Sequence, residues 1–157
     1  MKIVCKKIVK KLLKKKLNLS IVESCTGGLL SSYITSIPGS SKVFNVSMIT
    51  YSNKSKINIL KVPKKNIEKY GSVSNQVCLS MLQNIFKLSK SSICLSITGI
   101  AGPTGGKKNK PVGLVYIGIR KGNKIKINKY QFKNKGRHYI QKMAVNESLK
   151  LILSLIK

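Results

Sequence analysis

Apolar residues recur at helical spacing near the start of the chain, at Ile8, Val9, Leu12, Leu13 and Leu17, with lysines filling the positions between them. This pattern predicts an amphipathic first helix whose apolar stripe packs on a core. A helix lying on a membrane surface has a similar pattern. The core is favoured because a strand-like run over residues 19–22 follows at once and needs cover. Glu23, Ser24, Cys25, Thr26, Gly27 and Gly28 then break the periodicity before Leu29, Leu30, Tyr33 and Ile34 restore helical spacing. The segment reads as strand, turn, helix. Pro38, Gly39 and Ser40 close that helix, and residues 43–51 read as a second strand rich in β-branched and aromatic side chains.

Residues 52–60 are short and polar, Pro63 begins a helical turn ending near Gly71, and Ser74 is placed to cap a helix carrying Val77, Leu79, Met81, Leu82, Ile85 and Phe86. Residues 93–97 form a continuous apolar run of the kind found in strands buried on both faces. A glycine-dense loop from Thr98 to Gly106 follows, then a lysine-rich stretch to Lys110. Residues 112–119 and 124–130 read as a hairpin turned at Gly122 and Asn123, and residues 137–156 as a closing helix. With no internal repeat and no dividing linker, this alternation predicts one domain, a three-layer α/β/α sandwich around a mostly parallel mixed sheet.

Composition fits one such domain: 157 residues, 42% of them apolar, can bury a single sizeable core. The formal charge of +28 would by itself suggest nucleic acid or an anionic surface. Yet of 31 basic residues only Arg120 and Arg137 are arginine, and alanine occurs only at Ala101 and Ala144. Base-edge and phosphate readers draw on the bidentate guanidinium, so the excess reads as solvated lysine from a biased composition, with no specific nucleic-acid partner expected. Cys5, Cys25, Cys78 and Cys94 form no C-x-x-C pair, and His138 is the sole histidine, so neither a zinc site nor a disulfide framework is expected. Lysines interrupt residues 1–16 before any signal-peptide core forms, and no run approaches a membrane span. A reducing cytoplasm is the expected compartment.

In open α/β sheets ligands bind beyond the carboxyl ends of the strands. Ser24 stands at one such end, before a helix whose free N–H groups favour an anion or a developing oxyanion, although a serine there is more often simply a helix cap on a tight turn. The segment from Thr98 to Gly106 stands at another, where glycine lets a ligand approach bare backbone; it matches neither the P-loop nor the dinucleotide fingerprint. Tyr51, Ser52, Asn53 and Lys56 form a polar cluster after the second strand. A serine nucleophile needs a base, yet there is no aspartate, one histidine and no G-x-S-x-G elbow. Lysine is the remaining strong base, provided that burial or neighbouring cations depress its pKa.

Glu23-Ser24-Cys25-Thr26-Gly27-Gly28, Pro38-Gly39-Ser40-Ser41, Tyr51-Ser52-Asn53 with Lys56, Gly71-Ser72-Val73-Ser74, Thr98-Gly99-Ile100-Ala101-Gly102-Pro103 with Gly105-Gly106, and Lys110-Pro111-Val112-Gly113 occur in the order and spacing of one known module. Over nearly its whole length the chain resembles the C-terminal domain of the CinA family, the nicotinamide-nucleotide amidases. The resemblance implies hydrolysis of the carboxamide of nicotinamide mononucleotide to the acid and ammonia, without metal or cofactor. Carried over residue by residue, it implies Ser24 as nucleophile, Lys56 as base, and Tyr51 and Thr98 as accompanying catalytic residues. Substrate is expected against Thr26, Gly27, Gly28, Asn53, Gly99, Gly102 and Arg137, with backbone N–H groups of residues 26–28 holding the oxyanion and Arg137 near the 5′-phosphate. Two positions depart from the family pattern: Ser47 replaces an expected glycine, and Gln141 replaces a frequent second arginine, which would weaken phosphate binding. A nucleotide-binding or regulatory module without turnover is the alternative. A stand-alone form and a homodimer or other homo-oligomer are also expected.

Overall fold

The computed structural model describes residues 1–156. Five strands, β1 (Leu19–Glu23), β2 (Phe44–Ile49), β3 (Ile93–Gly99), β4 (Leu114–Lys121) and β5 (Lys124–Gln131), form one sheet in the order β2-β1-β3-β4-β5. β1 pairs in parallel with β2 and β3, whereas β3–β4 and β4–β5 are antiparallel, so four of the five strands point the same way. The connection from β1 reaches β2 through α2 (Leu29–Thr35); that from β2 returns past β1 to β3 through α3 (Asn53–Asn58), α4 (Lys64–Tyr70) and α5 (Asn75–Ser89). Strand order thus reverses at β1, opening the crevice that such sheets use for ligands.

Alternation along the strands decides which residues meet which layer. Leu19, Ile21, Leu95 and Ile97 join the core under α1 (Lys2–Lys14), α2 and α6 (Arg137–Leu155), to which Ile8, Leu12, Leu30, Ile140 and Leu149 contribute. Val22 and Cys94 point the other way, against Val77, Met81, Leu82 and Ile85 of α5. Helices on both faces of the sheet make the three expected layers.

Boundaries move by a few residues. The first helix starts at Lys2, the second strand ends at Ile49, and β3 runs two residues further, taking Thr98 and Gly99 out of the loop. The polar stretch at 52–60 contains α3, whose cap is Ser52, its Oγ accepting from Ser55 N at 3.0 Å. That helix escapes periodicity because it is only six residues long and its one fully buried side chain is a lysine, Lys56, with Ile57 partly buried beside it. The Ser74 cap is present, with Val77 N donating to its Oγ at 3.3 Å.

Gly113, leading into β4, has φ +95° and packs so closely that a Cβ would run into the Phe132 carbonyl. Since the strained backbone and the clash add, Gly113→Ala is expected to cost about 2–4 kcal/mol. Urea titration of the variant beside wild type checks this through the midpoint at unchanged slope.

Candidate active site at the ends of the parallel strands

Register places three hydroxyls side by side. Glu23 pairs with Ile49 of β2 and Ile97 of β3, so the next residues, Ser24, Thr50 and Thr98, lie level across the three parallel strands. Two bonds continue the ladder, Ser24 N to Ile97 O at 3.0 Å and Thr50 N to Glu23 O at 2.9 Å. All three belong to the side-chain phase that faces α3 and α5. Lys56 reaches them from α3: its Nζ is 2.9 Å from Ser24 Oγ, 2.7 Å from Thr50 O and 3.3 Å from Tyr51 O. Although lysine is rarely buried, Lys56 is 1% exposed. Desolvation lowers its pKa from 10.5 to about 8, against a smaller upward pull from Cys25. As an ammonium Lys56 donates to all three oxygens; as a neutral amine bonded to the two carbonyls it would have a lone pair left for the Ser24 proton.

Glu23 holds the turn after β1. It is fully buried, and its carboxylate accepts from Gly28 N and Leu30 N at 3.2 Å, Ser31 N at 2.9 Å and Ser31 Oγ at 2.6 Å. The acid thereby satisfies the first turn of α2, a task usually left to a capping side chain, and Ser24 does not cap that helix. Gly27 N donates to Ser24 O at 3.0 Å, so the amides of Gly27 and Gly28 are both occupied. Of the backbone donors expected to hold an oxyanion, only Thr26 N–H is left without an acceptor in the described residues.

Tyr51 is divided between two places. Its carbonyl meets Lys56, whereas its exposed phenol turns away to accept a hydrogen bond from Arg137. Arg137, at the start of α6, also donates from Nη1 to Gly102 O at 3.0 Å. These residues border a cleft of about 390 Å³ lined by Thr26, Gly27, Gly28, Tyr51, Arg137, His138 and Gln141 among others. Ser24 and Lys56 are not in that lining; Lys56 is linked to it by its bond to Tyr51 O, and Ser24 stands two residues before Thr26.

The remaining expected residues separate. Thr98 is buried and donates to Ser72 O at 2.9 Å, which ties the end of β3 to the turn before α5. Gly99 is closely packed, with Val115, Leu114 O and Cys25 Sγ within 3.0 Å of where a Cβ would stand, so its place is set by packing rather than by an open approach. Asn53 is exposed at the first turn of α3 and outside the cleft lining. Cys25, beside the candidate nucleophile, is no rival to it: burial first, and then Glu23, push its thiol up to about 12. The two departures from the family pattern have partners, Ser47 Oγ with Ser31 Oγ at 2.6 Å and Gln141 Nε2 with Cys25 O at 2.8 Å.

Sequence reasoning missed Thr50, whose carbonyl helps hold Lys56, and the service of Glu23 to α2. A buried carboxylate five residues before a glycine at a helix start was the available signal for the latter. Among the described residues no group of three His, Cys, Asp or Glu side chains could hold a metal ion, all four cysteines are free, and no helix is long and apolar enough to cross a membrane.

Comparison with known proteins shows the family and the fold. The family model described as the CinA C-terminal domain matches residues 2–156. A CinA-like protein of Prochlorococcus marinus subsp. pastoris is 49% identical over 151 residues, covering 93% of this chain and 35% of that protein. Another from Endomicrobium trichonymphae is 45% identical over 141 residues, covering 90% of this chain and 33% of that protein. The chain thus spans about a third of the length of these relatives. Among solved structures, the competence/damage inducible protein CihA of Agrobacterium tumefaciens superposes with a TM-score of 0.96 at 32% identity, over 99% of this chain and 95% of that one. A CinA superfamily protein of Escherichia coli gives 0.91 at 26% identity, over 97% and 88%.

Proposed function

The chain belongs to the CinA C-terminal domain family, and from that premise we propose that it is a serine/lysine amidohydrolase that converts the carboxamide of nicotinamide mononucleotide to the acid with release of ammonia. One observation carries the chemistry: a buried amine with a depressed pKa lies 2.9 Å from a serine hydroxyl at the end of a central strand. A lysine in water is neutral in roughly one molecule in a few thousand at pH 7, whereas with a pKa of about 8 roughly a tenth are neutral.

In the proposed reaction Lys56 takes the Ser24 proton as Oγ attacks the amide carbon. Thr26 N–H stabilises the resulting oxyanion. The Lys56 ammonium then protonates the amide nitrogen, the C–N bond breaks, and ammonia leaves an ester on Ser24. Water, deprotonated by the regenerated amine, attacks the ester, and the proton returns to Ser24 Oγ as the acid departs. Tyr51 and Arg137 form the far wall of the cleft, where Arg137 has donors left for the 5′-phosphate; the Tyr51 phenol serves there rather than as a proton relay. Thr98 acts on this reading by fixing the strand end beside Ser24. Four free thiols fit a reducing compartment, and we place the protein in the cytoplasm.

Ser24→Ala is expected to remove essentially all ammonia release while leaving the fold intact, because Ser24 caps nothing and loses only its bond with Lys56. Ammonia detection on wild type and variant, beside circular dichroism, tests this. A folded Ser24→Ala protein with full turnover would overturn the mechanism; a wild type that binds the nucleotide without releasing ammonia would establish a binding module instead.

A further inference from the structure

A single peptide group joins the Cys25 carbonyl to the Thr26 N–H, which among the amides of residues 26–28 is the one left without an acceptor in the described residues. The carbonyl end of that peptide is held. Gln141 Nε2, from α6, donates to Cys25 O at 2.8 Å across 116 positions of sequence. Since a carbonyl oxygen only accepts, the group facing it is the NH₂ of the glutamine side chain and not its oxygen. The Cys25–Thr26 peptide is trans, so its C=O and N–H point in opposite directions within one plane. The Cys25 side chain packs in the core on the α6 side of the sheet, and its carbonyl is turned to α6 as well. The Thr26 N–H is thereby turned toward the other side, where Lys56 reaches Ser24 Oγ from α3.

We propose that Gln141 is a positioning residue for the oxyanion: by holding Cys25 O it fixes the plane of the Cys25–Thr26 peptide and aims its N–H at the oxygen that becomes negative when Ser24 attacks. This rests on the amidohydrolase reading and deepens it. Two effects act together. A peptide free to rock carries its donor with it, whereas a donor already aimed at the developing charge needs no reorganisation as that charge forms. A hydrogen bond accepted by the carbonyl also draws electron density from the nitrogen through amide resonance, which makes the N–H a stronger donor. Gln141 thus acts through the backbone of the nucleophile's own turn, although it stands in the cleft lining beside Arg137 and His138. The departure from the family pattern at this position has a task of its own, separate from binding a phosphate.

Gln141→Met keeps the length of the side chain and its helix propensity but removes the donor. It is expected to lower kcat for nicotinamide mononucleotide about tenfold, short of the roughly hundredfold or more that loss of a whole oxyanion donor costs. KM should stay unchanged, because a bond that matters only in the transition state lowers kcat and kcat/KM together. Gln141→Arg, whose guanidinium can donate to the same carbonyl, should keep kcat near the wild-type value. The amide nitrogen resonance of Thr26 reads the peptide without any turnover. It should move in Gln141→Met, with the amides of α5 unmoved, and return toward its wild-type position in Gln141→Arg. A wild-type kcat in Gln141→Met, or a Thr26 resonance that stays in place, overturns the proposal. So does a raised KM at unchanged kcat, which would put Gln141 on the substrate, or a lost kcat that Gln141→Arg fails to restore, which would mark a packing role. Wild type that releases no ammonia refutes the amidohydrolase reading itself; failure of the Gln141 proposal alone requires an active wild type beside an equally active Gln141→Met.

Discussion

Lys56→Arg is expected to abolish amide hydrolysis at every pH, and Lys56→Met to do the same while preserving the fold. On the proposed mechanism the cause is the identity of the base. A guanidinium stays protonated far above neutrality and cannot take the Ser24 proton, and the methionine side chain has length but no basicity. In wild type the neutral amine is the competent form, so kcat/KM should rise about tenfold from pH 7 to pH 9 and level off above the pKa of about 8. Stability carries a matching signature. The folded pKa lies below the unfolded value of 10.5, so between about 8 and 10.5 the unfolded chain binds more protons than the folded one. Wild-type stability therefore climbs with pH through that window. The site costs about 3 kcal/mol below it, where Lys56 is charged in both states, and the cost is lost above it. The other lysines titrate in both proteins, so the difference between wild type and Lys56→Met, read by urea titration at several pH values, isolates this group. A flat difference, or an active Lys56→Arg, would remove Lys56 as the base.

Glu23→Ala is expected to be the most damaging single change to the turn that carries Ser24. It strands the backbone N–H groups of Gly28, Leu30 and Ser31 around the place of a fully buried carboxylate, while the Ser31 hydroxyl keeps its bond with Ser47. At about 1–3 kcal/mol for each unsatisfied group, partly relieved by relaxation, the loss should be about 3–5 kcal/mol, lowering Tm by roughly 10 °C. Glu23→Gln should recover little, because each carboxylate oxygen already accepts from two donors and an amide NH₂ would face N–H groups on whichever side it was placed. Both variants should also lose kcat beyond what the folded fraction explains, since Ser24 is held by the same turn. Calorimetry together with turnover per folded molecule checks both effects. A Glu23→Gln protein as stable and active as wild type would show that the carboxylate is dispensable.

The strands at 19–22 and 93–97 were legible because parallel strands covered on both faces read as unbroken apolar runs, and the hairpin because Gly122-Asn123 sits between two strand-like segments. Helix α3 was not legible. Periodicity detects apolar faces of some length, and α3 has six residues whose one fully buried side chain is a lysine. In the site, Ser24 stood out as a serine between a strand and a glycine-rich helix start. Glu23 looked like an ordinary polar residue at a strand end, because its partners at 28, 30 and 31 come within reach only when the turn closes. Asn53 and Gly99 belonged to the same motifs as their neighbours, yet a motif does not say which of its residues packs, which faces water and which meets a ligand.

The sequence by itself determined the layer architecture and the residue types that stand at the strand ends, because hydrophobic alternation is a local property that survives into the fold. Only the tertiary structure decided that Lys56 and Ser24, 32 positions apart, meet at 2.9 Å. It also decided that the Tyr51 phenol turns to Arg137 and that the amides of Gly27 and Gly28 are already occupied. Those outcomes depend on strand register and on desolvation. A lysine pKa falls because of what surrounds the amine in space, and no arrangement of letters along the chain contains that surrounding until the strands have paired.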